Sequence, residues 1–221
     1  CGVGGDISIS AGAALQVLAD GDSAVLTGGN VVISTGYSLE TSSGNFEVKT
    51  ANAGVEGVSG KITVQTGTSS SATSGALQFQ TGNALEAGRA GDITLAVGSG
   101  IDGTGGSVSV VTGQTSLGSS GAFMVSTPNA GTAGTSGELT FESGIATDGS
   151  SGGISLRTGS SSGGKGGDIL LVVGSSDSSE GGSVSIQSGA GSSESSGAIT
   201  LSTAGDSLST GDIVIGSGDS V

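Results

Sequence analysis

The chain has 221 residues, 47 of them Gly, with 11% charged and 2% aromatic residues, no His, no Trp, one Cys, one Pro and a formal net charge of −14. So acidic a chain repels phosphate backbones and anionic headgroups, which argues against nucleic-acid and membrane partners, and no stretch approaches the roughly 18 apolar residues of a membrane helix. Without His there is no Ser–His pair for nucleophilic catalysis, and one Cys forms no internal disulfide.

Gly- and Ser-rich composition ordinarily marks a flexible linker. Here the β-branched residues are too regularly spaced for that reading, and regular spacing is the mark of a repeat. Units begin at Gly5, Gly29, Gly44, Gly60, Gly75, Gly91, Gly106, Gly121, Gly137, Gly152, Gly167, Gly182, Gly197 and Gly211. The first gap is 24 residues and every later one is 14, 15 or 16. With that Gly as position zero, +2 runs Ile7, Val31, Phe46, Ile62, Leu77, Ile93, Val108, Phe123, Leu139, Ile154, Ile169, Val184, Ile199, Ile213. Position +4 runs Ile9, Ile33, Val48, Val64, Phe79, Leu95, Val110, Val125, Phe141, Leu156, Leu171, Ile186, Leu201, Ile215.

In chain order, the first unit opens with Ile7 and Ile9 and then carries an irregular insertion over 13–28. The insertion holds "AALQVLAD" (13–20), the one local helical candidate. Each later unit is a run of about six residues with period-two alternation, which predicts a short strand with one apolar face. Gly at zero and usually at +7 punctuates both ends. Position +6 is Thr in eight units. The rest of each unit is Ser, Gly, Ala, Thr and Asp, with one weaker apolar position: Leu39, Val55, Leu85, Ile101, Leu117 and Leu208.

A strand with two large apolar residues does not bury its face alone, and stacking identical units covers it. The expectation is an all-β fold, a parallel β-solenoid of about 14 coils with roughly 15 residues and one strong strand per coil. The whole of 1–221 then forms one repeat domain. Strands about 4.8 Å apart would make a rod on the order of 65 Å long. The rival is an antiparallel meander with eight-residue loops, longer than most hairpin loops. In the solenoid, Glu142 and Arg157 lie side by side at +5 of successive coils. Phe141→Asp collapses folding there, whereas Thr140→Asp, one residue away but outward, is mild.

A longer period overlies the short one. "GDITLAVG" (91–98) matches "GDILLVVG" (167–174), and "GGSVSVVTG" (105–113) matches "GGSVSIQSG" (181–189), so a block of about 76 residues is written twice. The pattern opens within five residues of Cys1 and runs to Ser217 without a cap, as expected of a mature or truncated form, or of ends that meet other copies.

Motifs for chemistry are few. "GSSSGGKGG" (159–167) approaches a phosphate-binding loop, but Gly166 stands where Ser or Thr would bind magnesium, and the plain reading is a Gly-rich turn. Asp20 and Asp22 in "ADGDS", and the Asp-Gly pairs at 102–103 and 148–149, read as turn chemistry rather than calcium ligands. No catalytic, cofactor or metal residue is assigned. The expectation is therefore a non-enzyme without a cofactor.

The "GGSVSI…SG" style resembles the Gly/Ser-rich β-solenoid repeats of secreted adhesins and cell-surface filament proteins. The 15-residue period more weakly resembles the β-helical insect antifreeze proteins, which carry outward Thr-x-Thr pairs. Here the outward pairs read Thr63/Gln65, Gln78/Gln80 and Ser155/Arg157. The resemblance implies an extracellular, cell-surface structural protein that forms or decorates a filament. An adhesin-like or ice-binding module with a flat outer face is the alternative. The expected partners are copies of itself and surface glycans. Val111, Met124, Leu170 and Val172, apolar at outward positions, are the candidate self-association surface.

Overall fold

The computed structural model describes residues 6–13, 27–86, 88–192, 195–205 and 209–218. Cys1, Gly5, residues 14–26 of the insertion, the Asp20/Asp22 turn and Leu208 lie outside the described residues. Within the described residues there is neither α-helix nor β-strand, and none of these residues is buried. The expected parallel β-solenoid is therefore incorrect: among the described residues no sheet and no ladder between units is present.

The physical reason lies in where the chain goes after each arm, the stretch from zero to +7. In a solenoid the second half of the unit returns along a back wall, so +7 of one unit and zero of the next stand a strand's length apart. Here they meet. The amide of Gly44 donates to the carbonyl of Gly36 at 3.0 Å, and Gly121 to Gly113 and Gly197 to Gly189 at 2.9 Å each. Gly29 donates to Gly12 at 2.9 Å, so the long first unit closes in the same way across its insertion. The fully described segments 37–43 and 114–120 are thus loops pinned at their two ends, the geometry of an Ω-loop.

At most zero positions a Cβ would make only ordinary contact, as at Gly91 (3.8 Å), but at four of them the same closure explains the glycine. A Cβ there would press on the +6 side chain of the preceding unit: 3.2 Å from Thr50 Cγ2 at Gly60, and 3.3 Å from Thr127 Cγ2 at Gly137. At Gly106 and Gly182 it would lie 2.6 Å from Val97 Cγ1 and 2.7 Å from Val173 Cγ1. These glycines are required by close approach, not by backbone conformation. Positive φ occurs, among the described residues, only at Gly103 (82°) and Gly149 (105°). Those are the glycines of the two Asp-Gly pairs at 102–103 and 148–149, where the turn needs it.

The arms keep the alternation read from the sequence. Val31 is 55% exposed and Val32 83%; Phe123 is 66% and Met124 85%. The half-sheltered residues of the described chain are Thr50, Thr81, Thr112, Ser143, Ser188 and Thr203, and every one of them occupies +6. Shelter thus comes from the closing loops, and the +2 and +4 columns have none to spare. Phe141 is 71% exposed, so the expected core position of the Phe141→Asp test is also corrected. Residues group by contact into two stretches, Cys1–Val110 and Val111–Val221.

Candidate functional site: uncovered apolar arms between pinned loops

The loops use three local chemistries. In five units a hydroxyl at +9 accepts a backbone N–H three residues on: Ser38 from Thr41 (3.0 Å), Ser69 from Ala72 (3.1 Å), Thr115 from Gly118 (3.3 Å), Ser161 from Gly164 (3.1 Å) and Ser176 from Ser179 (3.0 Å). In each, a short hydroxyl side chain replaces a backbone acceptor in the turn. Two further units put Asp-Gly at +11 and +12, the positive-φ turns at Gly103 and Gly149. Others carry Ala at +9, as at Ala53 and Ala84, where Gly57 donates to Gly54 at 3.2 Å and Gly88 to Glu86 at 3.0 Å.

Ion pairs are local and exposed. Arg89 reaches Asp92 at 2.6 Å, Lys165 reaches Asp168 at 2.8 Å, and Lys49 reaches Glu47 at 2.9 Å. The first two occupy equivalent places in the two copies of the long block: 165 − 89 and 168 − 92 both equal 76. The Gly106/Val97 and Gly182/Val173 approaches are related by the same shift. The duplication is therefore written in tertiary detail as well as in sequence. Glu142 and Arg157 form no ion pair, because their arms are not neighbours in a coil.

Lys165 thereby has a structural partner, and the amide of Gly164 is taken up by Ser161. The "GSSSGGKGG" stretch is a pinned turn, with its lysine turned to Asp168 rather than held for a phosphate. Tyr37, Ser38, Leu39, Glu40 and Thr41 line an open concavity at one loop, where Glu40 is the one carboxylate. Among the described residues no three of His, Cys, Asp and Glu come together to hold a metal ion, and no helix is long and apolar enough to cross a membrane.

What stands out is apolar surface. Leu77 is 52% exposed, Ile93 65%, Leu95 77% and Leu156 78%. The total accessible surface is 22156 Å². A folded monomer of 20.4 kDa would expose about 8,800 Å². Backbone groups are equally uncovered: six backbone–backbone hydrogen bonds join described residues, where a closed fold has roughly two for every three residues. The four sequence candidates are well exposed: Val111, Met124, Leu170 and Val172 are 76–86% accessible. The Gly121–Gly113 bond draws together the roots of the arms that bear Val111 and Met124. Leu170 and Val172 share an arm three units further along.

Sequence reasoning missed the pairing of +6 with the next zero position, although the Thr column and the invariable Gly were both visible. It also missed the +9 hydroxyls, whose signal is the recurrence of Ser or Thr two residues after Gly36, Gly67, Gly113, Gly159 and Gly174. No protein-family model, no curated protein and no solved structure matches the chain.

Proposed function

We propose that this chain is a structural repeat protein of the cell surface, and that it works by associating with copies of itself to form or decorate a filament. The observation that carries this reading is the pair of apolar columns at +2 and +4, uncovered within one chain and repeated along its length. Exposed apolar surface on this scale marks an interaction site. A repeat offers the same surface at every unit, so the partner with a matching period is another copy. Contacts that are not closed by a rotation extend into fibres.

The arms bring a second requirement. Between their end glycines, the described arms make no backbone–backbone hydrogen bond, and an unpaired extended segment is a template for pairing with another chain. Ser and Thr in the pinned loops, together with the net charge of −14, keep the remaining surface solvated. Electron microscopy of the purified protein across a concentration series tests the proposal. Filaments or laterally packed bundles are expected. Monodisperse particles at the highest concentration would overturn it.

A further inference from the structure

Outward positions are polar in most arms, and the arm over 169–173 departs from that rule. It reads Ile169, Leu170, Leu171, Val172, Val173, with accessibilities of 56, 84, 77, 76 and 43%. Every other arm carries at most one large apolar residue at +3 or +5: Val32, Val111, Met124 or Val214. The equivalent arm of the first block reads Ile93, Thr94, Leu95, Ala96, Val97, with Thr and Ala at the two outward places. An apolar run of high β-propensity with no charge and no Pro is the composition of a self-pairing segment.

Charge permits contact at this arm without singling it out, since the stretch 103–137 carries no charged residue at all. Copies that each carry −14 repel, so they meet most easily where the chain is locally neutral. From Lys165 to Ser176 the charged residues are Lys165 and Asp168, an exposed ion pair at 2.8 Å with no net charge, and Asp177 follows directly. Direction follows from Asp168. In a parallel, in-register pair the two Asp168 carboxylates would stand opposite one another, and like charges directly opposed are destabilising. An antiparallel pair centred on Leu171 places Asp168 opposite Gly174, Leu170 opposite Val172 and Ile169 opposite Val173. Both faces of the arm then gain apolar cross-strand partners, and its backbone groups gain hydrogen bonds.

We infer that the arm over 169–173 is the primary contact between copies, formed with the same arm of a second chain in antiparallel register about Leu171. This inference rests on the self-association reading above and names the segment and symmetry through which it begins. The contact is isologous, so it makes a two-fold pair, and the remaining arms extend that pair into larger assemblies.

The test uses the full chain and two matched sets of variants. Leu170→Lys with Val172→Lys is compared with Thr94→Lys with Ala96→Lys, which makes the same charge change at the equivalent arm. In sedimentation velocity the first variant loses association and the second associates as the parent does. A two-fold centre is read separately by cross-linking in a Cys1→Ser background. Leu171→Cys forms a disulfide-linked dimer on oxidation, at concentrations where Leu95→Cys stays monomeric. If the Leu170/Val172 variant associates like the parent, or if Leu95→Cys cross-links as well as Leu171→Cys, the inference is overturned while self-association stands. A parent chain that stays monomeric at every concentration overturns both.

Discussion

Glycine at four zero positions, Gly60, Gly106, Gly137 and Gly182, has a steric cause that a composition table does not reveal. Gly106 and Gly182 face Val97 and Val173, whose branched side chains have little rotamer freedom with which to withdraw. Gly106→Ala is expected to open the end of the loop it closes, at a cost of about 1–3 kcal/mol for overpacking. Gly105→Ala, where a Cβ meets nothing within 4 Å, leaves the closure intact. Loss of the through-space NMR contact between the Val97 methyls and residue 106 in the first variant, and its retention in the second, is the readout. At +7 the glycines have neither a crowded Cβ position nor positive φ, and the geometry gives no steric reason for them. Sequence reading treated the zero and +7 glycines as equivalent turn markers. Gly36, Gly113 and Gly189 serve through their carbonyls, whereas Gly60, Gly106 and Gly137 serve through their missing side chains.

The element of this molecule is an arm followed by a pinned loop. Its length and facing were legible. Alternation over +2 and +4 predicted which residues share a side, and Val31 against Val32 or Phe123 against Met124 show that difference in accessibility. Direction was not legible. A period of 15 residues has the same appearance whether the chain winds on or turns back, and nothing in Ile, Val or Leu columns distinguishes the two. The deciding signal was the small contact of Thr at +6 with the Gly that follows it, which turns the chain back. Ser69→Ala tests the loop half of the element. It removes the acceptor for the Ala72 amide at an exposed site, so a loss at the low end of about 0.5–1.5 kcal/mol is expected. Amide exchange at Ala72 should accelerate, with exchange at neighbouring loops unchanged. Phe141→Asp tests the arm half. Phe141 is 71% exposed in the single chain, so the substitution leaves the chain's circular dichroism spectrum unchanged and weakens association instead. Lost spectrum at low concentration would return Phe141 to an intramolecular core.

At the scale of the whole molecule two forces oppose each other. Uncovered apolar columns favour association, and a net charge of −14 resists it. The balance is set by ionic strength, since charges separated by more than about 8–10 Å are largely screened at physiological salt. Association is expected to strengthen as salt is added, and again as pH falls toward the sequence pI of about 4.1, where the net charge disappears. Light scattering along salt and pH series checks both directions, and association that weakens along either would contradict the electrostatic half of the account. Local ion pairs such as Arg89–Asp92 and Lys165–Asp168 are too exposed to alter this balance, each being worth at most about 1 kcal/mol. The composition alone, rich in Gly and Ser, suggested a linker, and the repeat alone suggested a closed rod. The molecule meets neither expectation fully: it has the regularity of a repeat and, among the described residues, an uncovered apolar surface. Sedimentation velocity of the purified chain at physiological salt, from the lowest detectable concentration upward, tests that view most directly. A weight-average mass is expected that climbs with concentration well past 20.4 kDa and does not plateau at a small closed oligomer. A single 20.4 kDa species with the frictional ratio of a compact monomer at all concentrations would contradict it.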